Sequence, residues 1–195
     1  MKVFILLPAF NEEACLENLL SKIDNVLNEN GYNYQLIICD DGSKDNTPNL
    51  LANLSQKLPI KVITHPFNRG LGETSRDNFE MASEMSSDQD IIVRLDCDDT
   101  HEPKFIIDMI KKVEKGFDVV IASRFQKGGG QEGVSRYRAF ISYGANIFMK
   151  LFFPIPYVKD YSSGYRAYSS KIIKKSVRVY GNAFIQLKGF GFTCT

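Results

Sequence analysis

The chain carries almost no net charge: 24 Lys and Arg against 23 Asp and Glu leave +1 over 195 residues. That balance gives no bulk attraction for nucleic acid, so any anion must be held by local clusters. Tryptophan is absent, and histidine occurs only twice, as His65 and His101, each isolated in a polar stretch and read as a loop histidine. The four cysteines, Cys15, Cys39, Cys97 and Cys194, lack metal-ligand spacing and read as the reduced thiols of a cytosolic protein. No apolar run reaches the roughly 18–20 residues a membrane span needs, and Met1 to Pro8 is too short for a signal peptide. No Gly-x-Ser-x-Gly occurs, which removes the nucleophile elbow of a Ser-His-Asp hydrolase. Gly128-Gly-Gly130 is not followed by Gly-Lys-Ser/Thr and so is no P-loop, while Gly70-Leu-Gly72 lacks the third glycine of a dinucleotide fingerprint. Repeats, low-complexity segments and linkers are missing too. With 44% hydrophobic and 24% charged residues, a single globular domain is expected.

What is present is an alternation of short apolar strands and amphipathic helices. Strands are expected at Val3–Leu7 (stopped by Pro8), Gln35–Cys39, Lys61–Thr64, Ile91–Leu95 and Asp118–Ala122. Between them, Leu16, Leu19, Leu20, Ile23 and Leu27 repeat with helical period behind Asn11 as cap. Thr47-Pro48 opens a second helix, a third runs from Gly72 to about Met85, and Pro103 starts a fourth with Phe105, Ile106, Met109, Ile110 and Val113 inward. This pattern predicts a mostly parallel, doubly wound α/β sheet, whose ligands lie beyond the carboxyl ends of the strands. The loops Pro8–Glu13, Asp40–Ser43, Asn68–Gly72 and Asp96–Asp99 all fall at that end. Beyond them come a glycine-rich loop, Gln126 to Gly133, and a helix from Ser135 to about Phe153. That helix carries Arg138, Ser142 and Asn146 as one polar stripe and is ended by Pro154 and Pro156. Asp160 to Tyr168 reads as a loop leading into a short strand.

The most informative stretch is Ile91 to Pro103, an apolar strand that ends in Asp96, Asp98 and Asp99. Alternation along a strand sends Asp96 and Asp98 to the same side. Such carboxylates repel unless a cation lies between them, and an all-oxygen site suits Mg²⁺ or Mn²⁺. The competing reading is a helix cap, but one acid would suffice for that. Arg124, Arg136, Arg138 and Arg166 follow, and the planar guanidinium fork matches phosphate oxygens. Each alone would be an ordinary surface charge; near glycine loops and acids, at least two are expected to meet an anion.

Pro8-Ala-Phe-Asn-Glu-Glu13, Asp40-Asp-Gly-Ser-Lys-Asp-Asn-Thr47, Asn68-Arg-Gly-Leu-Gly72 and Asp96-Cys-Asp98 resemble, in order, the motifs of family 2 glycosyltransferases with the GT-A fold. Ala122-Ser-Arg-Phe125, Gly128-Gly-Gly130, Arg138-Ala-Phe-Ile-Ser142, Ala145-Asn146 and Ser163-Gly-Tyr-Arg166 resemble the polyprenol-phosphate hexose synthases among them. The resemblance covers nearly the whole chain. It implies a Rossmann-like, single-domain α/β fold, with residues 1–125 binding nucleotide sugar and metal and residues 126–195 binding the acceptor. It places Pro8, Phe10, Glu12, Asp41 and Arg76, with Asp96, at the nucleotide sugar. Asp96 and Asp98 become the metal pair for Mg²⁺ or Mn²⁺, and Asp98, Arg124, Arg138 and Ser142 the reacting and acceptor-phosphate residues. The implied partners are a nucleotide diphosphate sugar and a polyprenyl phosphate, at the cytoplasmic face of a membrane, with peripheral membrane contact and without nucleic acid. A phosphate acceptor needs no general base; Asp160 is the reserve for a hydroxyl acceptor. Three departures stand out. The family often has an aromatic residue, commonly Trp, near Val134 and this chain has no Trp, Thr100 replaces a metal-site Gln, and Gly189-Phe-Gly-Phe192 ends without its acidic continuation. The carboxyl end is therefore expected to be truncated.

Overall fold

The computed structural model describes residues 1–126 and 136–185, the side chains of 136–142 and 182 excepted. The expected glycine-rich loop after Gln126 and the terminal Gly-Phe-x-Phe segment lie outside the described residues. Among the described residues there are six strands: β1 (Val3–Ala9), β2 (Tyr34–Asp40), β3 (Ile60–Thr64), β4 (Ile91–Arg94), β5 (Val119–Ile121) and β6 (Arg166–Ser169). They form one sheet in the order β3-β2-β1-β4-β6-β5. The pairs among β1 to β4 are parallel, whereas β6 lies antiparallel to both β4 and β5. The helices are α1 (Leu16–Glu29), α2 (Thr47–Leu54), α3 (Leu71–Met85), α4 (Phe105–Glu114), α5 (Arg136–Phe152) and α6 (Ser170–Tyr180).

Strand alternation builds two cores. Val3, Ile5, Leu7, Leu36 and Ile38 meet Leu16, Leu19, Leu20 and Ile23 of α1 and Ile106 and Ile110 of α4. Phe4, Leu6, Ile37 and Ile92 turn to the other face, against Phe79 and Ala82 of α3 and Ile173 of α6. Each of these large side chains stabilises the fold by roughly 1.5–3 kcal/mol when fully buried. The apolar period of α1 and α4 thus predicts their helicity and most of the face they bury; Phe105, expected inward, is instead 42% exposed at the first position of α4, where Ile107 takes its place in the core.

The chain leaves β1 toward β2 and β3, then returns to place β4 on β1's other edge. This reversal opens the crevice in which open α/β sheets bind ligands. Three sequence expectations need correction. Pro8 does not stop β1 but lies inside it, opposite Cys39. Leu6, of the same parity, gives its carbonyl to Leu95 N, so Pro8's missing N–H faces β4, whose register with β1 ends at Leu6–Arg94. Asn11 is not the α1 cap; it adopts φ +56° in the preceding loop, four residues ahead of Cys15. Finally, α6 packs as a further helix that the loop-and-strand reading of the last third did not include.

Candidate active site

At the carboxyl end of β4 the acids are already sorted by their partners. Arg94, buried in the strand, donates from Nη2 to Asp96 Oδ1 at 2.7 Å and from Nη1 to the Gly164 carbonyl at 2.8 Å. Gly164 lies so close to Arg94 that a Cβ there would fall on Nη1, which explains the glycine of Ser163-Gly-Tyr. Asp99, at φ +56°, turns away to accept from Lys22 Nζ and Asn18 Nδ2, both at 2.8 Å. Asp98 is exposed and accepts from Thr100 N at 3.2 Å and Thr100 Oγ1 at 2.7 Å. The repulsion expected among these acids is thus relieved in part by the protein's own cations, Arg94 for Asp96 and Lys22 for Asp99. Among the described residues, Asp98 has no cationic partner. With the second oxygen of Asp96 it offers hard, anionic oxygen donors, a set that fits a divalent ion such as Mg²⁺ or Mn²⁺.

His101 is more than the loop histidine its isolation suggested. Its Nδ1 accepts from Asp96 N at 3.1 Å, and its ring stacks on Tyr165 with centroids 5.0 Å apart. Burial lowers its pKa against the opposing pull of Asp96 and Asp98, favouring the neutral ring that can accept that bond. Arg94 was missed as well, though an arginine inside the apolar run Ile91 to Leu95 was a signal in the sequence.

The loops after β1 and β2 are laced together on the neighbouring side. Asn11 N donates to Ser43 Oγ at 2.9 Å, Lys44 N to Asn11 Oδ1 at 2.9 Å, and Glu12 N to Thr47 Oγ1 at 2.9 Å. Gly42 takes φ +71°, and a Cβ there would sit 2.6 Å from the Phe67 backbone, so the third loop closes directly on the second. Pro8 is buried beneath these loops and Phe10 is 41% exposed at their surface. Glu12 has its pKa raised, first by burial and then by Asp98, Asp45 and Asp96, which places it in the field of the acids after β4.

Asp41 is almost fully buried. It accepts from Arg69 N and Gly70 N, each at 2.8 Å, and lies 2.6 Å from His65 Nδ1. Sequence reasoning gave it a base-contacting role; the contacts described here bolt the Asn68–Gly72 loop to the end of β2. Three of a carboxylate's roughly four acceptor positions are thereby occupied. Arg76, on α3, pairs with Glu73 at 2.9 Å and donates to the Ile185 carbonyl. Its described contacts therefore belong to the α3 side of the sheet.

On the other flank, Arg124 grips Asp160 with two prongs, Nε to Oδ2 at 2.8 Å and Nη2 to Oδ1 at 2.9 Å. Asp160 is fully buried and also accepts from Ser163 N at 3.1 Å. Burial alone would raise its pKa, but bonds from Arg124 and from backbone N–H groups hold it below the usual carboxylate range. A carboxylate so held is a poor proton acceptor, which removes the attraction of Asp160 as a reserve base. Asn146 clasps the same segment, giving Nδ2 to Lys159 O at 2.8 Å and taking Tyr161 N at 3.1 Å. It therefore ties α5 to the Asp160 loop instead of extending a ligand-facing stripe. The backbone of α5 is helical through 138 and 142, so those positions share the face of Asn146 at four-residue steps. The side chains of Arg138 and Ser142 lie outside the described residues.

Residues 4–177 match the family model described as Glycosyl transferase family 2. The chain belongs to that family. Over 175 residues it is 37% identical to the dolichol-phosphate mannosyltransferase of Pyrococcus furiosus, covering 89% of this chain and 48% of that protein. It is 29% identical over 191 residues to the undecaprenyl-phosphate 4-deoxy-4-formamido-L-arabinose transferase of Shewanella sediminis, covering 97% and 55%. The family 2 chain thus spans about half the length of the curated relatives it matches. In fold it is similar to glucosyl-3-phosphoglycerate synthase from Mycobacterium tuberculosis, solved with Mn²⁺, UDP and glucosyl-3-phosphoglycerate. That likeness has a TM-score of 0.67 at 20% identity, over 99% of this chain and 62% of that one. The fold is accordingly the GT-A type. Among the described residues no helix is long and apolar enough to cross a membrane.

Proposed function

We propose that the chain is the catalytic part of an inverting, metal-dependent transferase that moves a hexose from a nucleotide diphosphate sugar to a polyprenyl phosphate. The names of the two curated relatives, which specify dolichol phosphate and undecaprenyl phosphate, support the acceptor class. On this reading Pro8, Phe10, Glu12 and Asp41 line the nucleotide end of the crevice, and Arg76 belongs to the donor side. Asp96 and Asp98 would hold Mg²⁺ or Mn²⁺, which would supply positive charge to the leaving nucleoside diphosphate. Arg94 fixes one oxygen of Asp96, so that acid would meet the donor already oriented.

The observation that carries the acceptor assignment is the clamp between Arg124 and Asp160. A hydroxyl acceptor needs a base to take its proton, and the buried acid at this flank is held as a weak one. A phosphate monoester is already anionic near neutral pH, with a second pKa of about 6 by analogy with phosphoamino acids. Its recognition asks for positive charge; on this reading Arg138 of α5 would supply it, with Arg124, already paired to Asp160, contributing from the end of β5. Peripheral contact with the cytoplasmic face of a membrane belongs to the same proposal, since Ile147, Phe148, Leu151 and Phe152 of α5 are exposed. The test is incubation with radiolabelled GDP-mannose or UDP-glucose, with polyprenyl phosphate, polyprenol or a soluble glycan offered in parallel. Label is expected in the lipid phosphate. Label in polyprenol or glycan alone would replace this reading with a hydroxyl-acceptor transferase.

A further inference from the structure

Cys39, His65 and Asp77 come from three separate elements, the end of β2, the loop after β3 and the second turn of α3, and converge on one point. Cys39 Sγ lies 3.5 Å from His65 Nε2, and Asp77 Oδ2 lies 2.7 Å from that same nitrogen. The three ligand atoms all fall within 4.8 Å of one another. Tetrahedral zinc with bonds of about 2.3 Å to sulfur and 2.0–2.1 Å to nitrogen would put those atoms about 3.5 Å apart. The nitrogen–sulfur edge is therefore formed already. The nitrogen–oxygen edge must open by about 0.6 Å from its hydrogen-bonded length to the separation that such bond lengths require. Asp77 can make that shift, because its side chain is 24% exposed at the rim.

A second feature points the same way. Histidines that bind metals almost always give their other ring N–H to a carboxylate or carbonyl, which fixes the tautomer and ring plane. His65 Nδ1 lies 2.6 Å from Asp41 Oδ1, and Asp41 is itself pinned by Arg69 N and Gly70 N. The supporting partner is thus present and rigid. The neighbouring charges favour a cation, since Asp77, Asp41 and Asp40 act on the Cys39 thiol against Arg69; burial, the largest influence, raises the thiol pKa and is the cost the metal must offset to hold the thiolate. Arg69 competes for Asp77 at 3.4 Å but holds Glu73 at 2.9 Å and can remain there.

We propose that Cys39, His65 and Asp77 form a second cation site, separate from Asp96 and Asp98, that binds a borderline-soft divalent ion such as Zn²⁺ with a fourth position open to water. Binding displaces two protons to solvent, the thiol proton of Cys39 and the one shared between His65 Nε2 and Asp77 Oδ2. The ion then joins β2, the loop after β3 and α3 through three protein bonds. Mixed sulfur, nitrogen and oxygen donors select against Mg²⁺, so the two sites differ in metal as well as place.

The test is titration of the metal-stripped 195-residue protein with Co²⁺, followed by its visible spectrum and sulfur-to-cobalt charge transfer in the near ultraviolet. One equivalent should generate a tetrahedral spectrum with charge transfer, Zn²⁺ should bleach it, and Zn²⁺ should raise Tm. Cys39→Ser should abolish the charge transfer, whereas Asp98→Asn and Cys97→Ser should keep it. Asp41→Asn, acting through His65, should weaken Co²⁺ binding about 10–100-fold without removing the band. Should Cys39→Ser fail to fold, His65→Gln and Asp77→Asn serve in its place, each expected to weaken binding and change the spectrum. Absence of a charge-transfer band in the folded wild-type protein, or a band that survives Cys39→Ser, would overturn the assignment.

Discussion

Removing the carboxylate of Asp160 tests how the acceptor flank is held. The side chain is fully buried, makes two bonds with the Arg124 guanidinium at 2.8 and 2.9 Å, and accepts from Ser162 N and Ser163 N at 3.2 and 3.1 Å. Deleting one member of a buried pair costs about 3–5 kcal/mol, because the partner charge stays desolvated. The Arg124 side chain is 29% exposed and can recover some hydration, so the low end, about 3 kcal/mol, applies to Asp160→Ala. For a chain of this size that corresponds to a fall in Tm of about 6–12 °C. Asp160→Asn keeps an acceptor for the backbone and should cost less. The pH dependence follows from the direction of the shift. The folded pKa lies below the unfolded value of about 3.9, so the unfolded chain binds more protons in that interval. The stabilisation is complete above the unfolded value and is lost as pH falls through the folded one, and Asp160→Asn should flatten this acid limb. Urea denaturation of wild type, Asp160→Asn, Asp160→Ala, Arg124→Met and the Asp160→Asn/Arg124→Met double variant gives the coupling directly. Costs below about 1 kcal/mol for the Asp160 variants, as for a surface pair, would refute the reasoning. So would strict additivity in the double variant.

Calorimetry of nucleotide sugar should show tighter binding with Mn²⁺ than with EDTA, and Asp98→Asn should remove most of the difference; equal affinities in wild type would defeat the metal assignment. Asp41→Ala should lose at least about 3 kcal/mol of stability, since its two backbone donors alone lose a charged acceptor worth about 1.5 kcal/mol per bond at the low end, and His65 loses its partner as well. It should also weaken nucleotide binding by loosening the Asn68–Gly72 loop, whereas an unchanged denaturation midpoint would show that the loop does not depend on Asp41. Gly164→Ala should drive the Arg94 guanidinium off its place and cost about 1–3 kcal/mol, as overpacking does; a variant as stable as wild type would mean the contact relaxes freely. Ser75→Ala should be neutral or stabilising by up to about 1 kcal/mol, because its buried hydroxyl has no partner among the described residues. A loss above 1 kcal/mol would reveal a partner.

The parallel half of the fold was legible because its signals are periodic. Leu16, Leu19, Leu20, Ile23 and Leu27 all lie on the buried face of α1, and strand alternation sorts Val3, Ile5 and Leu7 from Phe4 and Leu6. Pro8 misled because its cost depends on which neighbour its nitrogen faces, a property of the sheet and not of the segment. The same limit hid β6 as an antiparallel insertion between β4 and β5, since the four residues Arg166–Ser169 carry no mark of strand order. His101 and Arg94 were misread or missed because two of their partners, Tyr165 and Gly164, lie more than sixty residues away and meet them only once β6 is in place.

The division of labour among Asp96, Asp98 and Asp99 follows from that placement. Three adjacent acids look equivalent in sequence, and mutual repulsion would apply to all of them. The antiparallel entry of β6 brings the Gly164 carbonyl to Arg94, which fixes the guanidinium so that its remaining edge meets Asp96. The positive φ of Asp99 swings the third acid onto α1, where Lys22 and Asn18 take it. Only Asp98 then faces outward with no protein cation among the described residues. The fold itself thus creates a difference among identical side chains: one acid is oriented, one is tied down, and one is left exposed with only Thr100 as its hydrogen-bond partner among the described residues.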